Sequence, residues 1–389
     1  MPKSLLLEIL KQHSAATILK STAKPERVSG EVLHFPFLAI VGQVEMKMAL
    51  VLAVLNPAVG GVLLVGPRGT GKTTAVRGLV DLMPPVRRSL CPYGCEEEAA
   101  ETWGIDAICP DCAVKMGRGE PLTRLDRMRL IELPLNARLE DVVGGINERV
   151  AIEQQKVRLE RGILSYAHRN LLYIDEVNLL DNAIVDAILD AAAQGRVTVR
   201  RGPMIATYPS EFVLVGSMNP EEGLLRPQIQ DRFGLRVVVD GLRDPQDRLE
   251  SYRRVRAFRE HPHRLIAAFA QDTQAFSDEI ARAREMLPEV ELTPAAEQLA
   301  LHTVQQLKIS SLRAEITVLE AARAHAAADN RREATVEDVI AVAPLALRQR
   351  RSQFIHHYVE EARIEDNEIR AACQQALQLP EESEREGAG

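Results

Sequence analysis

Over its first two thirds the chain alternates short apolar runs with amphipathic stretches, and that alternation sets the expected fold. Five runs are apolar at nearly every position: Gly61–Val65, Arg129–Leu133, Leu171–Ile174, Phe212–Gly216 and Leu235–Val239. Runs this short, rich in Val, Leu and Ile and lacking an in/out alternation, read as strands covered on both faces, the habit of a parallel sheet. Helix-length segments separate them, so the order predicts an α/β domain, residues 31–243, with five parallel strands and helices on both faces. After Asp240-Gly241 the strand-like runs stop. The remainder is rich in Ala, Leu, Arg and Glu, and Asp244-Pro245 and Thr293-Pro294 are helix starts, a capping side chain followed by proline in the first turn. An all-helical second domain is expected over 244–389, ending in a disordered polar tail, PEESEREGAG. Residues 1–30 read as a short N-terminal helical extension.

The longest apolar stretch, Ala49 to Val65, approaches the length of a membrane span, but Asn56-Pro57 and Gly60-Gly61 interrupt it. It reads instead as a buried helix, a turn and a buried strand. The N-terminal run is broken by Glu8 and Lys11 and has no small-residue cleavage site, so no signal peptide or membrane span is expected and the chain reads as cytoplasmic. A net charge of −7 disfavours non-specific nucleic-acid binding through a basic surface.

The chemistry begins where the first strand ends. Gly66-Pro67-Arg68-Gly69-Thr70-Gly71-Lys72-Thr73, followed by Thr74, has the spacing G-x-x-x-x-G-K-T between a strand and a helix. Glycines there let backbone N–H groups curl around phosphate, Lys72 reaches the β- and γ-phosphates, and Thr73 holds Mg²⁺. ATP with Mg²⁺ is the implied ligand. The strand Leu171–Ile174 ends in Asp175-Glu176, placing one carboxylate near Mg²⁺ and a second where it can polarise the attacking water. The strand at 212–216 leads to Asn219, which resembles the sensor-1 residue of AAA+ proteins. Arg232 lies where a ring-forming ATPase presents an arginine to its neighbour's nucleotide, and Arg313, at the start of a helix in the second domain, looks like sensor 2.

Four of the five cysteines lie within 22 residues: Cys91 and Cys95, then thirteen intervening residues, then Cys109 and Cys112. Two short Cys pairs supply four thiolates within tetrahedral reach, the pattern of a structural Zn²⁺ site, in an insert over about 89–120. Burial is the default reading of Cys373.

Four segments together carry a family resemblance: FPFLAIVGQVEMKMALVLAVLNPAVGGVLLVGPRGTGKTTAVRGLVDLMPP, LPLNARLEDVVGGIN, LLYIDEVNLLDNAIVDAILDAAAQG and FVLVGSMNPEEGLLRPQIQDRFGLRVVV. They closely resemble the ATPase subunit I of magnesium chelatase, in the helix-2-insert clade of AAA+ proteins, over roughly residues 35–350. The resemblance implies an AAA+ P-loop NTPase with a helical lid, assembling as a hexameric ring. It implies two partners, a D-type AAA+ subunit with a von Willebrand domain and a porphyrin-binding H-type subunit. The activity implied is a ligase's: ATP-driven insertion of Mg²⁺ into protoporphyrin IX, the first committed step toward chlorophyll and so toward photosynthesis. By the same resemblance Lys72 and Thr73 match Walker A, Asp175 and Glu176 Walker B, Asn219 sensor 1, Arg232 the arginine finger and Arg313 sensor 2. Ala137–Gly162 matches the helix-2 insert and Val197–Tyr208 the pre-sensor-1 hairpin, tipped by Arg201-Gly202-Pro203. A chelatase-like or MoxR-like AAA+ chaperone that remodels a von Willebrand-domain partner would carry the same motor motifs and is the alternative reading. A nucleic-acid motor is disfavoured by the acidic balance and the lack of a basic, aromatic-interleaved stretch.

Overall fold

The computed structural model describes residues 33–91, 93–146, 159–202, 204–351 and 364–371. The N-terminal extension, the polar tail and Cys373 lie outside the described residues. Five strands form the central sheet: β1 (Val62–Val65), β2 (Leu130–Leu133), β3 (Leu171–Ile174), β4 (Val213–Met218) and β5 (Leu235–Val238). Their order across the sheet is β5-β1-β4-β3-β2, every pairing parallel, with Val62 opposite both Val215 and Leu235 and Leu171 opposite both Val213 and Leu130. The sequence reading placed each of these strands to within two residues. β1, β3 and β4 are buried at every position, as strands covered on both faces must be, whereas the edge strand β2 exposes Glu132 to an ion pair with Arg77.

Successive side chains point to opposite faces, and each face has its own core. Val62, Leu64, Tyr173, Val215 and Val237 pack towards helix α1 (Val44–Leu55) and the C-terminal helices. Leu63, Val65, Leu172, Ile174 and Leu214 pack towards α3 (Asn182–Gln194) and α4 (Pro227–Arg232). Helix α2 (Lys72–Leu79) follows β1 directly. Beyond β5 come α5 (Pro245–Glu260), α6 (Pro262–Met286), α7 (Pro294–Gln306), α8 (Leu312–Ala328) and α9 (Val336–Leu347). Two of their starts are built as the sequence indicated: Asp244 accepts from the N–H of Gln246 and Thr293 from that of Ala296. The apolar segment 49–65 is α1, a tight turn over Pro57–Val59, and β1; among the described residues no helix is long and apolar enough to cross a membrane. Helix α1 is buried almost all round because it lies between the sheet and α8, and the Asn56 amide fixes that contact by donating to the Glu320 carboxylate at 2.6 Å.

Three additions decorate this frame. A ladder of Val86–Ser89 with Thr123–Asp126 carries the cysteine insert at its tip. Gly144–Ile146 pairs with Leu159–Arg161, the base of the expected helix-2 insert, of which 147–158 lie outside the described residues. Arg196–Arg201 pairs with Met204–Pro209 as a hairpin turning at Gly202.

Candidate active site

The P-loop leaves the carboxyl end of β1, next to β4 in a strand order that reverses there, the position where open α/β sheets bind ligands. Its glycines have two different reasons. A Cβ on Gly66 would lie 2.0 Å from the carbonyl oxygen of Val239, so only hydrogen fits; Gly69 and Gly71 have open space but φ of 81° and 88°, which side chains resist. Lys72, 8% exposed, donates to the carbonyls of Gly66 and Pro67 at 2.6 and 2.7 Å. Burial pulls its pKa down, opposed by Asp175, Glu176 and Glu222. Thr70 donates to the Pro67 carbonyl, and Thr74 stands exposed at a cleft shared with His34 and Phe35.

At the end of β3, Asp175 is held from three sides. Its Oδ1 accepts from Ser217 Oγ at 2.5 Å and Tyr173 Oη at 2.9 Å, and its Oδ2 lies 3.4 Å from Thr73 Oγ1. Two oxygens at that separation, one hydroxyl and one carboxylate, suit a hard cation with ligands about 2.1 Å from the metal, so the pair fits Mg²⁺. Glu176 follows with φ of 52°, its N–H donating to Ser217 Oγ at 3.1 Å. Asn219 is 4% exposed and sits beside the loop, because the preceding Met218 carbonyl accepts from the N–H of Gly66. The structure therefore gathers Gly66–Thr73, Asp175, Glu176 and Asn219 at one end of the sheet. Sequence reasoning missed Tyr173 and Ser217, which fix Asp175, and Glu222. The side chain of Arg68, a residue of the phosphate-binding loop, pairs with Glu176 and Glu222.

Arg232 and Arg313 are elsewhere. Both line a cleft of about 1000 Å³ with Gly60, Gly61, Asp190 and Asp231, at the amino ends of the strands. From Gly61 to Gly66 the chain climbs the sheet by about 16 Å at the usual rise of 3.3 Å per residue, beyond the reach of an arginine side chain. Arg232 pairs with Asp190, and Arg313, on α8, pairs with Asp231 at 3.4 Å.

The four cysteines converge as their spacing indicated. Their sulfurs all lie within 4.8 Å of one another, with Cys91 Sγ and Cys109 Sγ 3.7 Å apart, close to the edge of a tetrahedron with Zn–S of about 2.3 Å. The N–H of Tyr93 points at Cys91 Sγ and that of Cys109 at Cys95 Sγ, bonds that favour thiolates. Burial pushes the free Cys95 thiol up to about 11, and the four sulfurs are placed where they could hold a metal ion. The insert is anchored to the turn before β3 and to the base of the first hairpin: Glu96 meets His168 and Arg169, and Gly94 abuts Arg161, whose guanidinium stacks on Tyr166 and Tyr208.

A five-stranded parallel sheet in this order, a P-loop, an acidic pair on β3 and a helical lid define an AAA+ ATPase. Residues 147–228 match the family described as magnesium chelatase, subunit ChlI, and residues 297–371 match the AAA lid domain. The magnesium-chelatase subunit ChlI homolog of Methanocaldococcus jannaschii is 43% identical over 82% of this chain and 87% of its own length. The magnesium-chelatase 38 kDa subunit of Acidiphilium rubrum is 42% identical over 81% and 90% of the two chains. A putative ATPase from Cytophaga hutchinsonii, 19% identical with a TM-score of 0.51 over 80% of this chain and 83% of that one, shares the fold. The chain belongs to the magnesium-chelatase subunit ChlI family.

Proposed function

We propose that this chain is the ATP-hydrolysing motor of a magnesium chelatase, working as a ring and driving Mg²⁺ insertion into protoporphyrin IX by D-type and H-type partners. Kinship supports the chelatase, since relatives named as its subunits match over more than four fifths of this chain. The observation that carries the motor is the placement of the phosphate-binding groups at one end of the sheet and of Arg232 and Arg313 at the other. Neither arginine reaches its own subunit's phosphates, so both serve the nucleotide of the next subunit, and a site is complete only between two copies.

In that site Lys72 leaves the loop carbonyls for the β- and γ-phosphates, and Thr73 and Asp175 hold the Mg²⁺, which supplies charge neutralisation there. Glu176 accepts a proton from the attacking water as its oxygen bonds to the γ-phosphorus and the bond to the bridging oxygen breaks. Asn219 orients that water, and the neighbour's Arg232 and Arg313 take the charge that develops on the γ-phosphoryl oxygens. Cys91, Cys95, Cys109 and Cys112 hold a structural Zn²⁺ that stiffens the base of both hairpins, the surfaces best placed to meet partners. The nucleotide-binding part spans 31–243 and the lid begins at 244.

Reconstitution tests the assignment. The chain alone should hydrolyse ATP and insert no metal; metalloporphyrin absorbance should rise when D-type and H-type subunits are added, and should vanish with Lys72→Ala. A complete D–H pair that gains nothing from this chain would sink the chelatase reading in favour of the chaperone-like one.

A further inference from the structure

Arg68 lies in the P-loop, and its side chain turns to two carboxylates. Its Nε and Nη2 donate to Glu176 Oε1 at 3.2 and 2.9 Å, and the same Nη2 lies 2.5 Å from Glu222 Oε1. Glu222 belongs to the turn Pro220–Glu222 that follows Asn219, and Asn219 builds that turn: its side chain accepts from the N–H of Glu221 and its carbonyl from that of Glu222. One guanidinium thus joins the P-loop, the end of β3 and the end of β4.

The Glu176 backbone is fixed by its bond to Ser217, but among the described residues only Arg68 holds its carboxylate, and only through Oε1. Oε2 is left to accept from water. Glu222 is more dependent still, because its second carboxylate oxygen is buried without a partner. Without Arg68, two carboxylates that now share one nitrogen would repel each other, and the Glu176 carboxylate would lose the side chain that orients it. Arg68 itself is largely exposed and makes no core contact that its loss would disrupt.

We propose that Arg68 is a positioning residue for hydrolysis: it aims the Glu176 carboxylate at the attacking water and offsets the charge of Glu222 beside it. The proposal rests on Glu176 being the proton acceptor. It is tested on the full-length protein by steady-state ATPase, with nucleotide affinity measured separately by calorimetry. Arg68→Ala should lower kcat by about tenfold to hundredfold, the scale of a misplaced general base, with the nucleotide Kd unchanged. Arg68→Lys, which keeps the charge but not the fork, should fall between. The distinctive result is rescue: Glu222→Gln added to Arg68→Ala should raise kcat above that of Arg68→Ala alone, because it removes the repulsion that turned Glu176 aside. An unchanged kcat in Arg68→Ala, a loss confined to Kd, or a double variant slower than Arg68→Ala overturns the proposal. Glu176→Gln separates the levels. Hydrolysis surviving in that variant overturns the role of Glu176 as well, whereas its loss beside a normal Arg68→Ala overturns the role of Arg68 alone.

Discussion

Asp231 ties three arginines and a serine from three parts of the chain, and Asp231→Asn measures what it holds. Its Oδ1 lies 2.6 Å from Arg350 Nη1 and 3.8 Å from Arg236 Nη2; its Oδ2 accepts from Ser311 at 2.8 Å and faces Arg313 at 3.4 Å. The side chains of Arg350 and Arg236 are 0% and 1% exposed. Burial, with Arg350 nearby, pulls Arg236 down only to about 10, so it is still a cation at neutral pH. Asparagine keeps the shape and one acceptor but removes the charge, leaving both guanidiniums with neutral partners: among them the carbonyls of Ala346, Phe233 and Gly234 and the Thr317 hydroxyl for Arg350, and the carbonyls of Gln230, Arg348 and Gln349 for Arg236. Breaking a buried pair costs about 3–5 kcal/mol, and the carbonyls place this case near the lower end, at about 3 kcal/mol. With a urea slope of about 3 kcal/mol/M, that is a drop of about 1 M in the unfolding midpoint. Burial raises the Asp231 carboxyl, but the Ser311 hydroxyl and the two arginines outweigh it and hold it below the usual range. A depressed carboxyl contributes stability that is present above its unfolded pKa and lost as pH falls through its folded one, here below about pH 4, and Asp231→Asn should flatten that acid loss. A midpoint within about 0.2 M of the parent would refute the reasoning, because it would mean the buried cations do not need the anion.

Lys72→Ala should abolish tight nucleotide binding, whereas Glu176→Gln should bind normally and not turn over; calorimetry beside a phosphate-release assay decides both. Mixing Arg232→Ala with Lys72→Ala chains should restore part of the ATPase lost in each, since a mixed interface joins an intact P-loop to an intact arginine; no recovery in rings shown to mix would make Arg232 structural. Purified protein should contain one zinc per chain, and stripping it should spare basal ATPase while weakening stimulation by partners. Zinc-free protein with four freely titrating thiols would end that assignment.

The legible part of this chain was the part governed by local physics. Parallel strands buried on both faces must be apolar throughout, so Val62–Val65 and Leu171–Ile174 stand out from their surroundings. Phosphate binding demands a fixed glycine spacing, and tetrahedral sulfur demands paired cysteines, so Gly66–Thr73 and Cys91–Cys112 were readable as motifs. What escaped was the pairing of charges remote in sequence. Arg68 and Glu176 are 108 residues apart, and Arg350 and Asp231 are 119 apart. Nothing in a chain that is 26% charged marks which arginine meets which acid. The local pattern gave Arg313 a helix start; only the packing of α8 against the amino end of the sheet shows at which end it lies.

That packing bears on how hydrolysis becomes motion. Asp231 adjoins Arg232 and simultaneously grips Arg350, Arg236, Ser311 and Arg313, residues drawn from β5, the start of α8 and the chain after α9. Arg232 therefore follows a residue already clamped to the helical segment beyond β5, so a displacement of Arg232 would be felt there first. At the other end of the sheet Arg68 ties the P-loop to the turn after β4, close to the strand that rises from the pre-sensor hairpin. The sheet lies between these two clamps, its inner strands β1, β3 and β4 buried at every position. Packed units joined in this way move as wholes, because the interfaces between them are bistable rather than continuously deformable.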